Sequence, residues 1–456
     1  MATLPAGRAQ ERRVVSLASE QGLLFAISVM GIAALVAAVG HAALAWDGAG
    51  YLFETLMFRT PFAPMGRLIN VPLELPALLL SRWTDNVDFL GLMFCLPYTF
   101  IPVAAIVVSW WVVRTQAPAL IVWPVLAIAL GTLPGQMFWV SEGMQVVQLA
   151  WPLWLMVLLR VPRRCAPVSG ILTVALVFSH PTAIVVLVVT AVLSAFMAWQ
   201  YRPHAHGLWL WSSGWAIAAV ARYALSQSSY DQQHMNFAML FSAFHPALDG
   251  WPLLAISGAI FSGLCLLRGH TVSARLLPWC ALATIVALGC GLLAWASAPR
   301  AWGGAYEFRL WAVPTTLPFL LLAVCDRARS VGSMLTKDRM RVMQAAALVF
   351  GAVLVVQTLA FGRLDSALRA DMHHITNRCV PEGNLGEATN TAITGAAIAA
   401  YSVLLQGTHP RVVVAGETCD SLTRVAAPQL YARPVPWRGW FDLTAWRMHP
   451  VPTATR

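Results

Sequence analysis

The amino-acid sequence predicts an all-α polytopic membrane protein of about eleven transmembrane helices. A long first outer loop carries interfacial helices, and a small α/β periplasmic domain follows at the carboxyl end. Hydrophobic residues make up 58% of the 456-residue chain and charged residues only 11%, with a mean hydropathy of +0.66. Soluble domains carry about 25% charged residues, so this chain lacks the charge that a water-facing surface needs. Its apolar residues also fall into runs near the ~20 residues that cross a bilayer.

One of the uncharged runs is long enough for two helices. The run 168–199 has Ser179-His180-Pro181 near its middle. Proline removes a backbone donor and disfavours helix in the residue before it, so we predict a pair of short helices broken at His180. The uncharged runs are 22–45, 89–113, 118–140, 144–159, 168–199, 208–221, 251–267, 276–298, 310–325 and 342–362.

The basic residues support this break and predict an orientation. The densest basic loop, from Arg327 to Arg341, joins the other basic clusters on one side only if 168–199 forms two helices. The positive-inside rule makes that side the cytoplasm. We therefore predict a cytoplasmic amino terminus and a carboxyl terminus on the outer side. The composition, rich in alanine and arginine, favours a bacterial inner membrane, so the outer side is the periplasm. The net charge of +10 is scattered between apolar runs, which indicates contact with anionic lipid and not with nucleic acid.

The first outer loop, 46–88, is too long for a simple connection. It opens with Asp47-Gly48-Ala49-Gly50-Tyr51 directly after the first apolar run. A short amphipathic stretch and then a second one, 68–80, suit helices that lie in the membrane interface. A re-entrant hairpin without chemistry is the alternative.

The chain changes character at the boundary between the predicted domains, 1–362 and 363–456. The tail has no long apolar run, and it combines an alanine-rich stretch (392–405) with a strand-like segment (411–414). Cys379 and Cys419 are its two cysteines, and we predict that they form a disulfide bond in an oxidising compartment. The other six cysteines lie in or beside apolar runs and suit packing roles.

Three features together resemble the type-C fold (GT-C) glycosyltransferases, which are integral membrane enzymes that use polyprenyl-phosphate sugars. They are the acid directly after the first span, the long first outer loop and the broken pair of spans. The segment Gly170 to Ala183 looks like the small-apolar helix followed by Thr-Lys-Pro in that family, with His180 in place of lysine. The resemblance covers residues 20–360 as a pattern of spans. It implies sugar transfer at the outer face of the inner membrane, in the synthesis of a cell-envelope glycan or glycolipid.

The resemblance assigns the chemistry to two acids. Asp47 is the candidate general base, which would take the proton of the acceptor hydroxyl. Glu142, on a very short outer loop, would orient the acceptor or bind a divalent metal such as Mg²⁺ or Mn²⁺. The alternative for both is an ordinary solvated helix end. The pair His373-His374 is a weak metal signal that a solvated loop explains equally well.

Other polar residues predicted on the outer side suit the two substrates. Arginine matches phosphate in a bidentate manner, and aromatic rings pack on sugar faces. Snorkelling arginines in an interfacial belt are the alternative. The candidates for the donor phosphate are Arg300, Arg309 and His180, and those for sugar or acceptor are Tyr51, Trp302, Tyr306 and Glu307. Arg59, Arg67 and Arg82 are not distinguished from contacts with lipid headgroups.

Two other functions remain open. A transporter or flippase for a lipid-linked saccharide would also contain broken helices, but we find no internal repeat and no buried acid suited to a relay in the later spans. A non-catalytic GT-C-like scaffold, working with other envelope-biosynthesis proteins, would have a similar sequence. No P-loop is present, which argues against a mechanism driven by nucleotides.

Overall fold

The computed structural model of the chain is mostly helical and contains one two-stranded sheet among its described residues. These are 6–45, 47–131, 140, 142–161, 164–200, 206–226, 312–329, 335–375, 379–381, 396–415 and 439–443, with isolated residues between 256 and 289. The helices are α1 (Ala6–Val39), α2 (Asp47–Phe58), α3 (Val71–Leu80), α4 (Val87–Val113), α5 (Val122–Leu130), α6 (Glu142–Leu158), α7 (Ala166–Val177), α8 (Ala183–Gln200), α9 (His206–Leu225), α10 (Ala312–Arg329), α11 (Lys337–His374) and α12 (Ala396–Leu404). The strands are β1 (Cys379–Pro381) and β2 (Val413–Ala415).

Four of the described helices are long and apolar enough to cross a membrane. They are α1, over Gln21–Val39, and α4, α8 and α11 over their full lengths. Shorter apolar helices cover Leu68–Leu80, Pro118–Leu130 and Ala166–Val177. The structure thus has the helical architecture with candidate membrane spans that the composition predicts. The number of eleven spans stays a prediction.

The long run 168–199 is two helices, as its proline predicts. α7 ends at Val177 and α8 begins at Ala183. At the end of α7, Ser179 donates hydrogen bonds from its backbone N and from Oγ to the carbonyl of Leu176. These bonds satisfy a carbonyl that a continuing helix would have bonded.

α6 lies at the centre of the bundle. Every residue of this helix except Leu149 is buried, and it packs against α4, α7, α8 and α10. The helix is about 24 Å long at 1.5 Å per residue. It therefore connects an end of the bundle that holds Glu142 with an opposite end that holds Leu158.

A buried ion pair joins three helices at the Leu158 end. Arg339 of α11 donates two hydrogen bonds to the carboxylate of Asp326 in α10, over 2.6 and 2.8 Å. The indole of Trp123 in α5 donates to the same carboxylate over 2.9 Å. Arg327 points from α10 to the carbonyl of Leu158. α10 thus contains a buried acid, Asp326, one residue past the predicted run 310–325, and this acid is paired with an arginine.

α11 continues past the predicted domain boundary at 362. It runs without interruption to His374, which places the pair His373-His374 in the last helical turn and not in a loop. Beyond the apolar part, Asp365 accepts hydrogen bonds from Arg369 over 3.0 Å and from Tyr401 over 2.7 Å. The helix therefore links the membrane-type bundle to the tail.

The described part of the tail is a small α/β unit. β1 and β2 pair in parallel, with Cys379 opposite Val413, and α12 packs on β2. The strand predicted at 411–414 is confirmed, although it begins two residues later and ends one residue later. Cys379 is disulfide-bonded. Its predicted partner, Cys419, lies outside the described residues, so the pairing stays a prediction.

Candidate functional site

Asp47 begins α2 because the chain turns sharply after α1. Residues Ala42–Leu44 form a 3₁₀ turn, and α2 starts three residues after it ends. A Cβ added at Gly48 would lie 1.7 Å from the carbonyl oxygen of Ala43. Only glycine fits this close approach, so Gly48 fixes the place at which α2 begins. Asp47 lies in the first turn, where a negative charge is favourable to the helix dipole.

α2 is covered by protein on nearly every side. All of its residues from Gly48 to Met57 are buried, and it packs against α3 and against α12 of the tail. Phe53 of α2 stacks on Phe441 of the tail, with ring centroids 5.2 Å apart. The helix predicted to lie in the membrane interface is thus an internal element of the protein.

Three side chains of the first loop converge on Glu142, at the start of α6. Oε1 accepts hydrogen bonds from the Tyr51 hydroxyl over 2.9 Å and from Asn70 Nδ2 over 2.8 Å. Oε2 forms an ion pair with Arg67 over 3.1 Å. Glu142 is 4% exposed and Arg67 is 6% exposed, so both charges are buried. Each charge compensates for the water that the other loses on burial. We call Glu142, Tyr51, Arg67 and Asn70 the Glu142 cluster.

Tyr51 connects Asp47 to this cluster. The two residues are four positions apart on α2, which places them on one face of the helix. Burial raises the pKa of Tyr51 well above its ordinary value, and the negative charges of Glu142 and Asp47 raise it further. The phenol therefore stays neutral and donates a hydrogen bond to Glu142. Asp47 is partly exposed, unlike Glu142.

A second buried acid, Glu74 of α3, lies close to the cluster. Its Oε2 accepts hydrogen bonds from Thr55 Oγ1, over 2.8 Å, and from the backbone N of Phe62, and its Oε1 contacts the Tyr98 hydroxyl over 3.5 Å. The pKa of Glu74 is raised to about 8, mainly by burial and to a smaller extent by the charge of Glu142. Glu74 is therefore protonated at neutral pH, whereas Glu142 is balanced by Arg67.

The break between α7 and α8 lies beside the same loop. The backbone N of Ile69 donates to the carbonyl of Phe178 over 3.2 Å, and the next residue, Asn70, belongs to the Glu142 cluster. In the break, Nδ1 of His180 accepts a hydrogen bond from the backbone N of Thr182 over 3.2 Å and lies 2.9 Å from Thr182 Oγ1. The first loop thus bridges the break and the cluster.

The structure brings together the predicted site residues that it describes. Asp47, Tyr51 and Glu142 meet at one end of the bundle, and His180 lies next to the loop that joins them. The three loop arginines differ in burial: Arg59 and Arg82 are exposed, whereas Arg67 is buried. The predicted residues Arg300, Trp302, Tyr306, Glu307 and Arg309 lie outside the described residues.

Sequence reasoning missed Asn70 and the role of Glu74. The signal for Glu74 was present, because a lone acid inside the apolar stretch Val71–Leu80 is costly to bury and is often functional. Asn70 carried no comparable signal. Its role depends on a contact with a residue 72 positions away.

The Glu142 cluster does not suit a divalent metal. Both carboxylate oxygens of Glu142 accept hydrogen bonds from protein donors, and the guanidinium of Arg67 would repel a cation. Within the described part of the chain, no group of three or more His, Cys, Asp and Glu side chains could hold a metal ion. The arrangement instead holds the negative charge of Glu142 in a fixed position, near the more accessible Asp47.

No protein-family model, curated protein or solved structure matches this chain. The arguments about function therefore rest on the site itself.

Proposed function

We propose that the protein is a membrane glycosyltransferase that moves a sugar from a polyprenyl-phosphate donor to an acceptor hydroxyl at the outer face of the inner membrane. One observation carries this proposal. Asp47 and Glu142, far apart in the sequence, are linked through Tyr51 at one end of the bundle, beside the helix break that contains His180. This arrangement suits the resemblance to the GT-C enzymes.

The two acids would have different tasks. Asp47 is partly exposed and would accept the proton of the acceptor hydroxyl as that oxygen bonds to the anomeric carbon. The bond from that carbon to the phosphate oxygen breaks, and the electron pair leaves with the phosphate. Direct displacement of this kind inverts the anomeric centre. Glu142, held by three donors, would act as a positioning residue that keeps Tyr51 and Arg67 in place.

The donor would be held by residues around these acids. We assign the phosphate to Arg300, Arg309 and His180, because cations and hydrogen-bond donors stabilise the charge that develops on a leaving phosphate. Trp302, Tyr306 and Glu307 would contact the sugar or the acceptor.

The test is turnover by purified protein supplied with a polyprenyl-phosphate sugar and candidate acceptors. Asp47→Asn keeps the shape and removes the proton acceptor, so the release of free polyprenyl phosphate should fall by about 10²-fold or more. Donor binding should change little. Asp85→Asn, an exposed acid of the same loop, is the matched control and should retain activity. Equal release by Asp47→Asn and wild type would remove Asp47 from the chemistry.

A transporter or flippase for a lipid-linked saccharide is the second candidate, and the observed break between α7 and α8 favours it. Such a protein would move the lipid-linked sugar across the membrane and leave it chemically unaltered. Movement of a labelled donor across vesicles without release of polyprenyl phosphate would support this candidate. A scaffold would show neither movement nor release.

A further inference from the structure

Gln148, in the central helix α6, has a buried side-chain amide that makes no hydrogen bond. The residue is 1% exposed, and neither Oε1 nor Nε2 has a hydrogen-bond partner among the residues that the structure describes. Buried polar groups nearly always have a partner in native proteins, and an unpaired one is costly in an apolar bundle. A polar residue at such a position is commonly functional.

The backbone at Gln148 also departs from regular helix bonding. α6 contains Pro152, and proline has no N–H group to donate to the carbonyl four residues earlier. That carbonyl belongs to Gln148, so it does not receive the hydrogen bond that an α-helix normally supplies. The carbonyl and the amide of one residue thus place two acceptors and one donor group together in α6.

Two observed contacts show the direction in which Gln148 faces. Three residues before it, Gln145 Nε2 donates to Asn70 Oδ1 of the first loop over 3.5 Å. Three residues after it, Trp151 Nε1 donates to Thr316 Oγ1 of α10 over 3.2 Å. Successive residues of an α-helix are about 100° apart around its axis, so Gln148 lies about midway between these two directions. It faces the seam between the first loop and α10, about 9 Å along α6 from the first residue of that helix.

An apolar side chain would serve a purely structural role better at this position. Leu and Met have nearly the volume of Gln and carry no groups that lose water on burial. Apolar residues occupy most of the neighbouring buried positions of α6, such as Val146, Val147 and Leu153. The amide of Gln148 becomes favourable when a ligand supplies the donors and acceptors that it lacks.

We propose that Gln148 binds hydroxyl groups of the donor sugar, in a site between the first loop and α10 that opens when the sugar enters. This inference rests on the proposed function and specifies which part of the bundle holds the sugar. An amide provides an acceptor oxygen and two N–H donors, so it can bond to two neighbouring hydroxyls of a sugar ring. The residues proposed above to contact the sugar, Trp302, Tyr306 and Glu307, shortly precede the start of α10 at Ala312 in the sequence.

Binding to the purified full-length protein, without acceptor, tests the assignment. The probes are farnesyl phosphate alone and farnesyl phosphate linked to glucose, mannose, galactose or arabinose. At least one of the sugar conjugates should bind more tightly than farnesyl phosphate. Gln148→Met should weaken the binding of that conjugate by about tenfold or more and leave the binding of farnesyl phosphate unchanged. Equal affinities of wild type and Gln148→Met for every probe would overturn the assignment, as would a panel in which no sugar improves binding.

Thermal unfolding of the ligand-free protein separates this role from packing. Gln148→Met removes unpaired buried groups, so it should raise the midpoint of unfolding while it weakens sugar binding. A lowered midpoint in Gln148→Met would indicate a structural role and count against the assignment.

Ser109→Ala is the matched control. Its hydroxyl is also buried and without a partner in the described ranges, but Ser109 lies near the end of α4 that is remote from the first loop. Sugar binding should be unchanged in this variant. A similar loss of sugar binding in Ser109→Ala would reduce the effect at Gln148 to general repacking.

A second variant covers the case in which Gln148→Met does not fold. Gln148→Asn keeps the amide and withdraws it by one methylene, so it should change the order of affinities among the four sugar conjugates. Wild-type affinities in a folded Gln148→Asn variant would overturn the sugar site.

Failure of the sugar site and failure of sugar transfer give separate results, because binding is measured without turnover. Sugar-dependent binding that Gln148→Met abolishes, in a protein that transfers no sugar, would support the sugar site and reject the glycosyltransferase. Sugar transfer by Gln148→Met with wild-type affinity for the donor would do the reverse.

Discussion

At the scale of single residues, the ion pair of Glu142 and Arg67 is the contact of the candidate site whose disruption should destabilise the protein most. Two charges inside the protein compensate each other, and Tyr51 and Asn70 satisfy the remaining acceptor capacity of the carboxylate. A pair of this kind adds little to stability compared with apolar packing, but removing one partner leaves a buried charge without compensation.

This imbalance predicts the outcome of a double-mutant cycle. Glu142→Gln and Arg67→Gln should each lower the free energy of unfolding by about 3–5 kcal/mol. The double variant should lose much less than the two single losses added together, because it leaves no unpaired charge. Thermal unfolding in detergent measures the three values. Simple additivity would mean that the two side chains do not depend on each other.

Glu74 predicts a pH dependence of stability. Its pKa is about 8 in the folded protein against an ordinary value of 4.5, so between these values the folded protein holds a proton that the unfolded chain has released. The free energy of unfolding should therefore fall as pH rises through this window, by about 1.4 kcal/mol per pH unit, and level off above pH 8. Glu74→Gln should flatten the dependence. Unfolding measured from pH 5 to 9 for both proteins decides the matter, and identical slopes would count against a neutral Glu74.

At the scale of elements, α2 depends on the tail for its position. The tail contributes α12 and the ring of Phe441, which is fully buried against Phe53. A Cβ added at Gly439 would come within 2.5 Å of the sulfur of Met57, so the backbone of the tail also lies directly on α2. Asp47 begins this helix. The position of the candidate base therefore depends on contacts with residues some 390 positions later in the chain.

Removing the ring of Phe441 should therefore lower the rate of sugar transfer by altering the position of α2. Phe441→Ala should weaken the packing of the tail on α2 by about 3–5 kcal/mol and should lower turnover. The helices α1, α4 and α11 should stay folded. Limited proteolysis of the tail, measured beside the transfer rate, detects both effects. Phe196→Ala, which removes an exposed ring of α8, is the control. Unchanged turnover with a loosened tail would show that Asp47 does not depend on this contact.

At the scale of the whole molecule, local signals predicted the elements and non-local contacts decided the site. Proline at 181 predicted the break, and the acid after the first apolar run lies at the start of α2. Burial of Arg67 could not be predicted, because it depends on Glu142, 75 residues away. The length of α11 was also missed. Its polar last part has the composition of a soluble tail, and the hydrogen bond from Tyr401 to Asp365 cannot be predicted from the local sequence.

The arrangement of the two ends of the bundle predicts the membrane topology. One end holds the Glu142 cluster and the break. The opposite end holds Asp326, Arg339 and the other basic residues at the end of α10 and the start of α11. The positive-inside rule assigns the second end to the cytoplasm. A reporter that works only in the periplasm should be active when fused after Arg456 and silent when fused at Lys337. The reverse result would put the candidate site on the cytoplasmic side, where a polyprenyl-phosphate donor at the outer face could not reach Asp47.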